Sequence, residues 1–149
     1  MSISTVVGQA FLGVCLQLAA ATESTPIFVP MQEFTLAWDH SIEKVRWEED
    51  YELRISEEPE PSLSDSPVLV ATAARIKGSA AGMEPPEHAV LKEGWYHYTP
   101  HIREHQVLRL TRSEFVPDYE WCDQKGCRSL SEILPLDGGV TLMWACSSP

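Results

Sequence analysis

Proline and glycine break this chain into short pieces. Eleven prolines and eight glycines are spread along 149 residues, and both residue types punctuate helices. Between them, apolar residues alternate instead of recurring every three or four positions. In Gln32 to Asp39 (QEFTLAWD), Phe34, Leu36 and Trp38 point one way and Glu33, Thr35, Ala37 and Asp39 the other. That period of two predicts a half-buried strand. Val45 to Ile55 (VRWEEDYELRI) alternates as well, with Val45, Trp47, Glu49, Tyr51, Leu53 and Ile55 on one face. His40 to Lys44 is short enough to be the hairpin loop between them. Pro67 to Ile76, Gly94 to Tyr98, Val107 to Thr111 and Val140 to Trp144 read as further strands, and Glu57 to Ser66 as a polar, proline-broken loop. The expected fold is all-β, a single-domain antiparallel sandwich or barrel-like fold. The rival is a helix over the alanine-dense stretch Ala71 to Ala81. One helical turn is expected over Ser129 to Leu134, where Ser129 and Glu132 have capping-box spacing.

The start of the chain reads differently. Met1 to Thr22 carries no charged residue, Thr5 to Ala21 is mostly apolar, and Ala19-Ala20-Ala21 is a small-residue cleavage pattern. The expectation is a signal peptide over residues 1–21, followed by one β-rich domain over 22–149. A retained membrane anchor and a buried N-terminal helix are the alternatives. The expected location is therefore periplasmic or otherwise exported, and membrane-attached if the segment is kept.

Acidic residues outnumber basic ones 22 to 11, so the formal net charge is −11. Such a chain repels phosphate backbones and anionic lipid, which argues against nucleic-acid partners. No phosphate-cradling glycine loop and no zinc-finger spacing occurs. No cofactor and no resident metal are expected.

With Cys15 assigned to the leader, Cys122, Cys127 and Cys146 remain. Cys122 and Cys127 flank Asp123-Gln124-Lys125-Gly126, a turn that brings two strands to bridging distance, about 5.5 Å between Cα atoms. Their disulfide is the expected reading in an exported chain, ahead of a metal site built from the three cysteines and a histidine. Cys146 is left buried, in competition for a bridge, or paired between chains.

Chemical constellations are weak. His97, His101 and His105 recur every four residues, but Pro100 interrupts any helix, so they read as loop or strand histidines. His40-Ser41 places a hydroxyl beside an imidazole, yet neighbours on an extended chain face opposite ways. No nucleophile elbow is present. Glu49 is the exception on an apolar face, and a carboxylate there needs a partner. His40 across the hairpin is one candidate; Arg46 and Arg75 are others. A structural pair is the favoured reading.

Several strings together resemble one bacterial family. They are Phe34-Thr35-Leu36-Ala37-Trp38-Asp39-His40-Ser41, Trp47-Glu48-Glu49-Asp50-Tyr51, Lys77 to Pro86 (KGSAAGMEPP), Gly94-Trp95, and Arg112 to Tyr119 (RSEFVPDY) with the C-terminal cysteines. The chain is similar over roughly Phe34 to Cys146 to domain of unknown function 1850. The resemblance implies a small exported bacterial protein, often encoded beside tripartite ATP-independent periplasmic (TRAP) transporters of the TAXI type. It carries over no catalytic residue.

Two functions are left open. One is a cell-envelope accessory or interaction protein, with a TAXI-type TRAP transporter component or another envelope protein as partner. The other is a small-ligand-binding or enzymatic β-domain, with a pocket around His40, Ser41, Glu49 and Ser113. The stiff, small-residue loop around Gly82, next to Trp95, adds a candidate binding surface or a tight corner of the sandwich. Enzyme activity is the less favoured reading.

Overall fold

The computed structural model describes residues 11–39, 45–55, 66–78 and 85–148. Among the described residues, twelve strands form two antiparallel sheets. The smaller has the order β2-β1-β12-β9, from Ile27–Pro30, Leu12–Leu18, Val140–Ser147 and Leu108–Thr111. The larger has the order β11-β10-β3-β4-β5-β7-β6, from Gly126–Ser129, Glu120–Asp123, Glu33–Asp39, Arg46–Ile55, Pro67–Lys77, Trp95–Tyr98 and Val90–Lys92. A two-residue strand β8, Glu104–His105, also pairs with β5. The expected all-β fold is what forms, and the alanine-dense stretch is strand through Lys77 because Ala71, Ala74 and Ile76 turn inward.

The faces follow the alternation. Phe34 and Leu36 of β3 and Tyr51 and Leu53 of β4 pack with Trp121 of β10 under Val14, Leu16, Met143 and Ala145 of the smaller sheet. Trp121 is fully buried, and its ring stacks on Phe34 with centroids 4.2 Å apart. Burying such residues contributes about 1.5–3 kcal/mol each. Between Asp50 and Tyr51 the β4–β5 register shifts by one residue, so Thr72 is the extra residue. The shift keeps Tyr51 facing inward opposite Ala71.

One strand lies within the stretch expected to be the leader. Leu12–Leu18, read above as part of a leader ending at Ala21, is an inner strand of the smaller sheet, with Val14 and Leu16 fully buried. Its apolar residues are those of a strand covering a core. The described β-structure begins at Leu12. Cys146 is bonded to Cys15, 131 residues away. Gly13 is required in β1, because a Cβ there would sit 2.5 Å from the Phe28 ring and from the Val29 carbonyl oxygen of β2. Among the described residues no helix is long and apolar enough to cross a membrane.

The single helical turn forms over Leu130–Glu132, with Ser129 as N-cap and the reciprocal Ser129–Glu132 box complete. It seats Leu130 in the core.

Candidate functional site

Glu48 and Glu49 are sequence neighbours on opposite faces of the larger sheet. Glu48 lies opposite Ala37 and Arg75, on the face turned away from the core. Arg75 Nε donates to Glu48 Oε1 (2.6 Å), while its two terminal nitrogens donate to Asp50 at 3.0 and 3.2 Å. Arg46 Nε donates to Glu48 Oε2 (2.6 Å), and its Nη2 donates to Glu120 Oε2 (3.0 Å). Thr35 Oγ1 donates to Asp50 Oδ1 (2.6 Å). Burial alone would push the Glu48 carboxyl up, but the hydrogen bonds and charges of Arg46 and Arg75 together hold it below its ordinary value. The result is an ion-pair network joining β10, β3, β4 and β5.

Glu49 faces inward, opposite Leu36 and Ala74. Residues two apart on a strand share a face, and the Tyr51 hydroxyl donates to Glu49 Oε2 at 2.5 Å. Burial, then the Glu49 charge, pushes the Tyr51 phenol far above its ordinary value. Burial followed by the same carboxylate raises Tyr98, and burial, Asp118 and Glu49 raise Tyr119. Arg46 and Arg75, two of the candidate partners of Glu49, instead serve Glu48, Asp50 and Glu120. Strand alternation is the reason: both arginines lie on the outer face. His40, Ser41 and Gly82 lie outside the described residues.

The remaining candidates are dispersed. Ser113 Oγ accepts from the Phe115 amide (3.1 Å), a local turn contact. Trp95 pairs with Lys77 and Lys92, one position away from the inward-facing Tyr96–Ile76 pair. Gly78, at the start of the small-residue loop, is tied to the adjacent turn by its amide donating to the Gly94 carbonyl (2.7 Å). His97 pairs with Arg75, and His105 edges onto the Tyr51 ring with centroids 6.1 Å apart. His101 meets His88 instead, at 5.1 Å between centroids, so the three histidines do not converge.

Next to Ser113 the structure holds a centre built on Arg112, outside the candidate site residues of the sequence. Arg112 is fully buried and donates to Asp118, Thr141 Oγ1 (3.0 Å) and the Leu134 carbonyl (2.7 Å). The Ser131 hydroxyl also donates to Asp118 (2.7 Å). Burial pushes the Asp118 carboxyl up, but Arg112 and Ser131 outweigh it and hold it below its ordinary value. The signal in the sequence is the RSEFVPDY string, which contains both Arg112 and Asp118 but does not by itself say that they pair.

The expected Cys122–Cys127 disulfide closes the β10–β11 hairpin. The turn itself is Gln124-Lys125, with Asp123 Oδ1 accepting from the Lys125 amide (2.8 Å) and Gly126 at a φ of 117°. Beside the hairpin runs a groove of about 720 Å³. Phe11, Leu12, Val29, Pro30 and Met31 form one wall, and residues 123–128, Cys127 included, form the other. Because β2 and β11 are the outermost strands of their sheets, the groove opens between two strand edges. A second cleft of about 490 Å³ lies across the hairpin on the outer face, lined by Cys122, Thr35, Asp50 and Arg75 among others. Arg46 Nη2 reaches within 3.9 Å of both disulfide sulfurs.

A family model described as domain of unknown function (DUF1850) matches residues 34–130. The chain belongs to the DUF1850 family. The stretch matched in this DUF1850 protein spans β3 to the start of the helical turn, which includes every strand of the larger sheet. Of the smaller sheet it contains only β9, so Cys15 and Cys146 lie outside it. No curated protein matches the chain, and no solved structure does.

Proposed function

We propose that this DUF1850 protein is an exported interaction module of the cell envelope, which holds an extended apolar segment of a partner protein in the groove between β2 and the β10–β11 hairpin. The groove carries the reading. One wall is apolar, the facing hairpin wall is polar, and both are flanked by strands that are outermost among the described residues, an arrangement that suits an extended chain. The titratable side chains described above are engaged with one another in structural pairs, which fits binding better than acid–base chemistry. Two disulfides fit an oxidising, exported environment. The family resemblance suggests a TAXI-type TRAP transporter component as the partner and the periplasm as the place. In this reading the exported chain keeps Leu12–Leu18, because the strand covers the core and carries Cys15.

Photo-crosslinking in envelope preparations tests this. A crosslinker at Lys125, on the groove wall, should capture one envelope protein through an extended apolar segment. A crosslinker at Arg109, on β9 at the far edge of the smaller sheet, should not. Val29→Glu, which places a charge in the groove, should abolish the product. Equal capture from both positions, or capture indifferent to Val29→Glu, would overturn the reading.

A further inference from the structure

We infer that the Cys122–Cys127 disulfide is a thiol–disulfide exchange site, with Cys127 the sulfur attacked, Cys122 the leaving thiolate and Arg46 the positioning residue that holds its charge. The inference stands whatever occupies the groove. The two disulfides of the chain are differently placed. Cys15–Cys146 ties two inner strands together, and Cys15 is buried. Cys122–Cys127 closes a hairpin at the edge of its sheet, where Cys127 is exposed and lines the groove. An incoming thiol therefore reaches the Cys127 sulfur from open space. Opening the bond leaves the hairpin in register, since β10 keeps its pairing with β3 as well as with β11.

The exposure of Cys127 beside the less accessible Cys122 sets the direction of cleavage, and Arg46 supports the thiolate that leaves. The Arg46 Nη2 lies 3.9 Å from each sulfur, and a neighbouring guanidinium favours the thiolate form of a cysteine. A thiol of lower pKa leaves faster. Glu48 fixes the other side of the guanidinium, and Arg75 holds Glu48 in turn. One group works the other way: the Glu120 carboxylate lies within 4.8 Å of both sulfurs. Its charge opposes a thiolate and is offset by its bond to Arg46.

The chemistry balances with a thiol co-reactant, either a low-molecular-weight thiol or an exposed cysteine of an envelope protein. The incoming thiolate forms a bond to Cys127 Sγ as the Cys127–Cys122 bond breaks, and the electron pair leaves on Cys122 Sγ. A second thiol then attacks the mixed disulfide and releases Cys127. Two thiols are oxidised to one disulfide, and the protein is reduced to its dithiol.

The test exposes the folded full chain to reduced glutathione, quenches with acid and alkylating agent, and maps the cysteines by mass spectrometry. Cys122–Cys127 should open while Cys15–Cys146 stays closed, and the trapped adduct should sit on Cys127. Arg46→Gln should slow opening about threefold to tenfold, Arg46→Lys should restore most of the rate, and Glu120→Gln should speed it. A purely structural role for the ion pair predicts that Arg46→Gln and Glu120→Gln both loosen the hairpin and both speed opening. That result, simultaneous opening of both disulfides, or an adduct on Cys122 would overturn the assignment. The position of the adduct in the unmutated chain decides the matter even if a variant fails to fold.

Discussion

Arg112 closes on Asp118 through two hydrogen bonds, Nε to Oδ1 at 3.0 Å and Nη2 to Oδ2 at 2.7 Å, with no part of the arginine side chain exposed. The pair joins the end of β9 to the base of a loop that holds Phe115 out in solvent, at 87% exposure. Asp118→Asn leaves a buried guanidinium without its counter-charge and should cost about 3–5 kcal/mol in urea titration. Arg112→Leu should cost a comparable amount, and the double variant clearly less than the two losses added. Phe115→Ser should change stability by less than about 0.5 kcal/mol. Additive losses at positions 112 and 118 would show that the two residues do not support one another.

Stability should form a plateau bounded by carboxylates on one side and phenols on the other. Asp118 and Glu48 are held below their ordinary values. Their contribution is present above the unfolded-chain values near ~4 and is lost as pH falls below them. Tyr51, Tyr98 and Tyr119 are raised. Their contribution is present below the unfolded value near ~10 and is lost as pH climbs past it. Urea midpoints measured across pH should therefore fall at both ends, and Asp118→Asn should flatten the acid limb. An acid limb unchanged in that variant would count against the buried pair as its source.

Cys15–Cys146 spans 131 residues, so its removal frees nearly the whole unfolded chain. Replacing both cysteines by serine should cost about 2–5 kcal/mol. A chain beginning at Thr22 lacks β1 altogether and should fail to fold cooperatively. N-terminal sequencing of exported protein should find Leu12 retained. A chain starting at Thr22 with the full-length urea midpoint would refute the role given to this strand.

Tyr51 gives Glu49 its partner on the inner face. Tyr51→Phe keeps the ring packed and removes only the hydroxyl, so it should cost about 1–2 kcal/mol. Glu49→Gln should weaken the same contact, and a double-mutant cycle should show a coupling above about 0.5 kcal/mol. Zero coupling would mean that Glu49 is satisfied elsewhere.

What the sequence determined was local. Alternation over Phe34, Leu36 and Trp38, and over Trp47, Tyr51 and Leu53, assigned the inner faces of β3 and β4, because successive side chains on a strand must diverge. Four residues between Cys122 and Cys127 were enough to specify a hairpin bridge, and two between Ser129 and Glu132 to specify a cap. The Glu49–Tyr51 contact was also within reach, since residues two apart on a strand are neighbours. Other features were decided only when distant segments met. The apolar run Leu12–Leu18 has the composition of a leader and of a core strand alike, and its pairing with β12 makes it the strand. Cys15 and Cys146 meet because that pairing sets them diagonally across two strands. Arg46 reaches the Cys122–Cys127 sulfurs because β3 holds β4 and β10 on its two sides. Local periodicity states which way a side chain points. What it points at depends on sheet order and register, which are settled by burying both sheets against one another at once.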